Sequence, residues 1–317
     1  MKNIQADIKS GNFKQVYLLY GEEAYLKQQY KQNLVKALNP DGDTMNFNHY
    51  EGKGIDVKQL IDLCETMPFF AERRVVLLED TGFFKNKCEE LADYMKELPD
   101  YLYLVFAETE VDKRNRMYKA VKACGSIAEF IRQDEKTLMR WAAGILGKAG
   151  KKITQRDMEL LLTKTGTDMG NLRMEMEKLI SYTEGRDVVT AEDIEEICTT
   201  QTTNRIFDMV RAVTEKNQKR ALELYYDLLT LKEPPMRILF LLAKQYRQLL
   251  LAKQFAAAGL AQTEIASKLG VPGFVVRNIT TCARAYTISE LEQAVKDFVD
   301  AEESVKTGRL EDKLSVE

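Results

Sequence analysis

The stretch QVYLLYGEEAYLKQQYKQNL, residues 15–34, carries the signals of a strand, a tight turn and a helix in direct succession. Its run VYLLY at 16–20 is apolar without alternation, which is typical of a parallel strand covered on both faces. A glycine follows, and Leu26, Tyr30 and Leu34 then recur every four residues, which predicts a helix that packs by one face. The stretch therefore predicts one strand–helix unit of an α/β fold.

The same alternation continues to about residue 130. Short apolar or alternating runs predict four further strands, and amphipathic stretches between them predict three further helices. Together they favour right-handed crossovers and a mostly parallel sheet of five strands with helices on both faces. The further strands are predicted at 44–52, 74–80, 101–108 and 126–130, and the helices at 56–67, 84–98 and 113–124.

After residue 131 the β signals disappear and every remaining pattern is helical. Four helices with glycine or Thr/Asp caps at their junctions are predicted up to about residue 202. Five or six helices follow, interrupted at Pro234-Pro235 and at Gly270. We therefore predict an α/β domain at 1–132, a small helical lid at 133–202 and a helical bundle, the collar, at 203–317.

Composition narrows the class of protein. The chain has 317 residues and a formal net charge of −3, whereas an autonomous nucleic-acid binder usually carries a basic excess. It contains no apolar run of the ~18 residues that a membrane helix needs, and its N-terminus lacks the apolar core of a signal peptide. The 5 cysteines are widely spaced and odd in number, which indicates reduced thiols in a cytosolic protein.

The residue composition also argues against several kinds of metal site and catalytic site. His49 is the single histidine, so a multi-histidine metal site is excluded, and no cysteine cluster replaces it. A Ser-His-Asp or Cys-His mechanism would depend on His49, which lies in an alternating, strand-like stretch, and no GxSxG motif is present. We expect no metal, no cofactor and no intrinsic catalysis.

The glycine at position 21 lies where a nucleotide-binding protein places its phosphate loop. Such a loop needs G-x-x-x-x-G-K-[ST], but here Gly21 is followed by EEAYLKQ, without a second glycine, a Gly-Lys pair or a hydroxyl. Glu22 and Glu23 would repel phosphate by roughly 4 kcal/mol each at ~4 Å and an effective dielectric constant of ~20. The same acids suit the positive end of a helix dipole. We predict a plain strand-to-helix turn.

A second pattern resembles part of a nucleotide site. The strand at 74–80 ends in Glu79 and Asp80, as the Mg²⁺-holding Walker B strand of an ATPase ends in two acids. Without a phosphate loop upstream these acids have nothing to act on, so we expect no metal role for them.

The order of these motifs resembles the bacterial DNA polymerase III delta subunits, which are clamp-loader proteins with an AAA+-like fold. VYLLYGEEAYL resembles the N-terminal signature of the family, and MPFFAERRVVLLED resembles the segment that follows it. LVFAETEVDKRNRMYKAVKACGSIAEF and TGTDMGNLRMEMEKLISY are similar to a later strand–helix–strand segment and to the family's lid helix. Each motif is loose, but their order and spacing are specific and extend over the whole chain.

The resemblance implies an AAA+-like α/β domain without a functional phosphate loop, followed by the lid and the collar. It implies a cytoplasmic, replisome-associated subunit of a DNA-directed DNA polymerase holoenzyme, which is a nucleotidyltransferase complex. Its partners would be gamma/tau-type ATPase subunits and delta prime in a pentameric loader, the β sliding clamp, and primed DNA in the complex. Without binding ATP itself, such a subunit binds the clamp and opens its ring for loading on DNA.

The resemblance places the clamp-binding apolar pair at Phe69 and Phe70, next to Met67 and Pro68, and leaves the exact anchor open among these four. The residues themselves place the pair in the connection between a helix and a strand, which should run over the surface. The alternative is that one or both rings plug the edge of the sheet. A polar rim around the pair is expected from Glu72, Arg73 and Arg74.

Two further candidate sites are basic. Arg173 lies where AAA+ lids often carry a nucleotide-sensing arginine, but without a phosphate we expect it to pair with Glu175, Glu177 or a neighbouring subunit. A basic helix either contacts DNA phosphates in the assembled loader or presents a solvated face. Its residues are Lys113, Arg114, Arg116, Lys119 and Lys122.

Two other functions compete with the clamp-loader hypothesis. One is a divergent P-loop ATPase or helicase-like enzyme, which ATP binding by the isolated chain would favour. The other is a helical adaptor unrelated to replication, which would not co-purify with a ring-shaped clamp and ATPase subunits.

Overall fold

The computed structural model describes residues 2–199 and 202–316. The chain divides into two compact units, Met1–Gln133 and Asp134–Glu317. Within the described ranges, no helix is both long and apolar enough to cross a membrane.

The first unit is built on a parallel sheet of five strands, as the sequence predicts. The strand order is β2-β3-β4-β1-β5, so β1, which contains VYLLY, pairs with both β4 and β5. All residues of β1 are buried, whereas β2 lies at the edge and none of its residues is buried. The strands are β1 Val16–Tyr20, β2 Phe47–Glu51, β3 Arg74–Glu79, β4 Leu102–Glu108 and β5 Ser126–Glu129.

Five helices cover both faces of this sheet. On one face Tyr17 and Leu19 pack with Leu34 of α2 and with Ile4. Ile4 belongs to α1, a helix near the N-terminus that the sequence did not predict. On the other face Leu18 packs among residues of α3, α4 and α5. The helices are α1 Lys2–Ser10, α2 Ala24–Leu38, α3 Val57–Glu65, α4 Glu89–Tyr94 and α5 Arg116–Cys124.

The predicted extent of the helix at 84–98 is wrong, because only Glu89–Tyr94 is helical. Phe83 and Phe84 are buried, which ties the start of this segment to the core. The side-chain amide of Asn115 donates to the backbone carbonyls of Phe83 (3.4 Å) and Asn86 (2.9 Å). Long-range contacts therefore replace the first turns that the local pattern predicted.

The helix predicted at 113–124 also begins later, at Arg116. The side chain of Asn115 accepts a hydrogen bond from the backbone N–H of Met117 (2.8 Å) and so caps the helix. Lys113 and Arg114 consequently precede the helix to which the sequence assigned them.

The second unit begins with four helices around a core of their own, which includes Leu162, Met176 and Leu179. One feature differs from the sequence prediction: Lys152–Ile153 and Val188–Val189 form a two-residue parallel pair, β6 and β7. Strands this short leave no periodic signal. The helices are α6 Glu135–Lys148, α7 Gln155–Thr165, α8 Met169–Tyr182 and α9 Ala191–Ile197.

Among the described residues from 202 to 316, six helices complete the second unit and confirm the predicted helical bundle. Val275 packs against this bundle and also against the core of the preceding four helices, so the lid–collar boundary at 202/203 stays a prediction. The helices are α10 Thr202–Thr214, α11 Gln218–Thr230, α12 Pro235–Ala257, α13 Gln262–Leu269, α14 Gly273–Ala283 and α15 Ile288–Lys306.

Candidate functional site

The turn after β1 owes its glycine to a close backbone approach. Gly21 has φ +120°, and a Cβ atom there would lie 2.3 Å from the carbonyl oxygen of Phe130. That oxygen accepts the backbone N–H of Glu23 (2.9 Å), and the N–H of Phe130 donates to the carbonyl of Tyr20 (2.7 Å). The turn therefore fastens the start of α2 to the end of β5, which only glycine permits at this position.

At the carboxyl end of β3, both acidic side chains bond to other groups of the same chain. Lys31 on α2 lies 2.5 Å from one carboxylate oxygen of Glu79, and His49 lies 2.9 Å from the other. The side chain of Asp80 accepts hydrogen bonds from the N–H (2.9 Å) and the hydroxyl (2.8 Å) of Thr109. The two acids that resemble a Walker B pair are thus engaged in contacts within the chain.

A second lysine of α2 bonds to the carboxyl end of β4. Lys27 Nζ donates to the backbone carbonyl of Glu108 (2.9 Å), and burial lowers the pKa of Lys27 despite the surrounding acids. Glu22 instead lies at the surface, 3.7 Å from Arg132. These contacts describe the strand-to-helix turn that the sequence predicts at this position.

The connection between α3 and β3 is the most exposed apolar feature of the first unit. We call residues 66–73 the aromatic loop. The exposed fractions are 75% for Met67, 57% for Phe69 and 95% for Phe70, while Pro68 is half-buried. The two phenylalanine rings pack edge to face, with centroids 4.5 Å apart. The rings therefore do not plug the sheet edge, and an exposed cluster of this kind is typical of an interaction site.

A buried asparagine holds the middle of the aromatic loop. The backbone N–H of Phe69 donates to Asn46 Oδ1 (2.6 Å), and Asn46 Nδ2 donates back to the carbonyl of Phe69 (2.8 Å). Asn46 immediately precedes β2 and is 4% exposed. Its amide satisfies both main-chain groups of one loop residue, as a neighbouring strand would.

Arg74, the first residue of β3, holds the start of the loop. Its guanidinium donates to the backbone carbonyls of Thr66 (2.9 Å) and Met67 (3.3 Å) and to the side chain of Asn48 (3.2 Å). Arg74 is 5% exposed, so it lies beneath the loop and not in the polar rim where the sequence placed it. Five donors in a fixed fork suit a guanidinium to this buried role.

The remaining rim residues differ in their surroundings. The guanidinium of Arg73 lies over the rings of Phe13 (5.2 Å) and Tyr103 (5.4 Å), which are cation–π contacts. Glu72, two residues after Phe70, is exposed, whereas Arg73 is half-buried. Of the three predicted rim residues, Glu72 is therefore the most accessible to a partner.

Sequence analysis did not find Asn46, and it placed Arg74 in the polar rim instead of beneath the loop. Asn46 looks like an ordinary polar residue before an edge strand, and its partner is 23 residues away. Arg74 begins a buried apolar run, and a charged residue in that position is a usable signal because buried charges need partners.

The five basic residues proposed for DNA contact are not equivalent. Three form ion pairs: Lys113 with Glu129 (2.9 Å), Arg114 with Asp112 (3.1 Å), and Arg116 with Asp93 (2.7 Å). The other two, Lys119 and Lys122, are exposed, and no ion pair with another described residue involves them.

The lid arginine forms an ion pair within its own helix. Arg173 Nε lies 2.7 Å from Glu177 Oε1, one of the partners that the sequence predicts. Glu175 is buried and instead pairs with Lys178 (2.6 Å) and accepts the backbone N–H of Thr199 (3.1 Å).

Two family models match the chain. The model "DNA polymerase III, delta subunit" matches residues 17–130, and "DNA polymerase III delta subunit, C-terminal domain" matches residues 203–317. The first segment contains the aromatic loop and the turn after β1.

Two relatives and one solved structure extend over most of the chain. A "DNA polymerase III subunit delta" of Bacillus subtilis (strain 168) is 26% identical over 328 aligned positions, covering 99% of this chain and 94% of the relative. A "Probable DNA polymerase III subunit delta" of Aquifex aeolicus (strain VF5) is 22% identical over 270 positions, covering 81% and 75%. The solved DNA clamp loader delta protein of Bacillus subtilis has a TM-score of 0.66 at 24% identity, covering 99% of this chain and 96% of that chain.

Proposed function

The chain belongs to the DNA polymerase III delta-subunit family, and from that membership we propose that it is the clamp-opening subunit of a replicative clamp loader. In this role it binds the β sliding clamp and opens its ring, so that the clamp can be placed on primed DNA. Gamma/tau-type ATPase subunits and delta prime complete the loader at the cytoplasmic replisome. The chain itself contributes binding energy and performs no catalysis.

The observation that carries this proposal is the exposed pair Phe69 and Phe70 on the aromatic loop. Burying two phenylalanine side chains yields roughly 3–6 kcal/mol, whereas micromolar affinity needs about 8 kcal/mol. The pair therefore supplies a hot spot, and Met67, which is 75% exposed, is available to supply more of the interface.

The rival ATPase function finds less support in the first unit. Lys31 and His49 both engage Glu79, and Thr109 engages Asp80, at the strand ends where a nucleotide site would hold Mg²⁺. The turn at Gly21 lacks the second glycine and the Ser or Thr of a phosphate loop, and Lys27, at the spacing of the loop lysine, donates instead to the carbonyl of Glu108 (2.9 Å). We propose that this domain keeps the AAA+-like shape and acts by contact.

The test of this function is a mixture of the purified chain with a purified β clamp, with and without ATP. The proposal predicts a complex in both cases, and it predicts that the clamp ring opens in both. A complex that forms only with ATP would favour the rival enzyme.

We further propose that Lys119 and Lys122 contact DNA phosphates in the assembled loader. The variant Lys119→Glu plus Lys122→Glu should bind primed DNA more weakly, and the log–log dependence of affinity on salt should become shallower by roughly 1.8 for two lost contacts. Fluorescence anisotropy of the complete loader between about 50 and 200 mM salt measures both quantities.

The matched control is Lys148→Glu plus Lys219→Glu, which makes the same charge change at exposed positions of the second unit. An equal loss of affinity in both variants would show that net charge, and not a contact at α5, is responsible.

A further inference from the structure

We propose that Asn46 is a positioning residue that holds the aromatic loop in its docking conformation before the clamp arrives. The inference rests on the proposed function of that loop. Asn46 lies outside the loop and forms hydrogen bonds with the main chain of Phe69.

The first support is that Asn46 is itself fixed from several sides. Its backbone carbonyl accepts the N–H of Val75 on β3 (2.9 Å), which anchors it to the sheet. Its amide nitrogen also donates to the carboxylate of Asp43, and that second bond fixes which end of the amide faces the N–H of Phe69. The side chain of Asn39 in turn bonds the N–H (3.0 Å) and the carbonyl (2.9 Å) of Asp43. The asparagine is therefore a rigid support.

The second support is the backbone of Phe70. Its φ of +50° lies in the left-handed region, which costs a non-glycine residue free energy and persists where surrounding contacts hold it. The side chain of Phe70 is 95% exposed, so it is not held by burial in the core. Asn46 fixes the preceding residue, and Arg74 fixes the start of the loop at Thr66 and Met67.

The contacts that hold the loop should raise the rate at which it binds the clamp. Without Asn46 the loop would sample many conformations, since two exposed phenylalanines also gain by covering nearby apolar surface. Only the fraction of molecules that present both rings outward could dock, and the apparent dissociation constant rises by the inverse of that fraction. The association rate falls by the same factor, while the dissociation rate stays nearly constant because the bound clamp holds the loop.

The experiment compares binding kinetics on an immobilised β clamp for the wild-type chain and Asn46→Ala. We expect the association rate to fall about tenfold and the dissociation rate to change by less than about twofold. Removing the ring contacts, by contrast, should act mainly on dissociation, as most interface substitutions do. A general loss of stability that leaves the chain folded at the assay temperature should change neither rate, so the melting temperature of Asn46→Ala is measured alongside.

Two control variants are measured together with Asn46→Ala. Asn33→Ala makes the same substitution on the exposed face of α2 and should leave both rates unchanged. Val121→Ala removes methyl groups from a fully buried position of the same unit, so it should lower the melting temperature without changing the association rate.

A measurement on the wild-type chain covers the case in which Asn46→Ala does not fold. Hydrogen exchange at the amide of Phe69 should be slow although the residue is 57% exposed, because that N–H is bonded to Asn46. Exchange at the rate of an unstructured chain would overturn the inference. So would an Asn46→Ala variant with an unchanged association rate. If Phe69→Ala plus Phe70→Ala leaves clamp affinity unchanged, the proposed function itself fails.

Discussion

Replacing Phe69 and Phe70 together with alanine is expected to weaken clamp binding at least a hundredfold. The two rings can contribute roughly 3–6 kcal/mol when buried against a partner, and about 2.7 kcal/mol already corresponds to a hundredfold change in affinity. Isothermal titration of the purified clamp measures the loss. The effect should appear mainly as faster dissociation, because the substitution removes contacts and leaves the main-chain bonds to Asn46 in place.

The same variant should remain folded. Phe69 and Phe70 are 57% and 95% exposed, and exposed substitutions usually change the free energy of unfolding by no more than about 0.5 kcal/mol. Phe240→Ala is the matched control, because Phe240 on α12 is a phenylalanine with 64% exposure in the other unit. Wild-type affinity in the double variant, or an equal loss in Phe240→Ala, would contradict the assignment of the aromatic loop as the clamp contact.

Replacing Gly21 with alanine is expected to destabilise the first unit by about 3 kcal/mol or more. A Cβ atom at this position would lie 2.3 Å from the carbonyl oxygen of Phe130, and the backbone has φ +120°, which side-chain-bearing residues rarely adopt. Relief requires that β1 and the segment after β5 separate, which breaks the hydrogen bond from Glu23 to Phe130. The expected fall in melting temperature is roughly 6–12 °C, to be measured by calorimetry.

Gly147→Ala is the control for this substitution. Gly147 lies in the last turn of α6, and a Cβ atom there meets nothing within 4 Å. Alanine should therefore leave stability unchanged or raise it by up to about 1 kcal/mol. If Gly21→Ala melts like the wild-type chain, the close approach of Phe130 is not the reason for the glycine.

The fold was largely predictable because its strands leave strong local signals. VYLLY at 16–20 and VVLL at 75–78 are apolar without interruption, and both lie in strands inside the sheet. The segment at 84–98 was not predictable in the same way. Its start is fixed by burial of Phe84 and by hydrogen bonds from Asn115, and neither contact is visible in local periodicity.

In the candidate site, too, some features were indicated by the sequence and others depend on long-range contacts. The position of Phe69 and Phe70 in a short connection between a helix and a strand indicated exposure, but the sequence left open that one or both rings plug the sheet edge. The structure shows both residues exposed. The roles of Asn46 and Arg74 depend on which main-chain groups the fold brings beside them. A charge at the start of a strand suggests a rim residue, whereas in the structure Arg74 is buried and bonded to Thr66, Met67 and Asn48.

We propose that this chain opens the clamp ring by contact and without nucleotide. The most direct test uses a β clamp that carries a self-quenching pair of fluorophores across one subunit interface, mixed with the chain in the absence of ATP. We expect fluorescence to rise on mixing to the same level as with ATP present, and we expect Phe69→Ala plus Phe70→Ala to abolish the rise. Fluorescence that stays quenched until ATP is added to the isolated chain would contradict it.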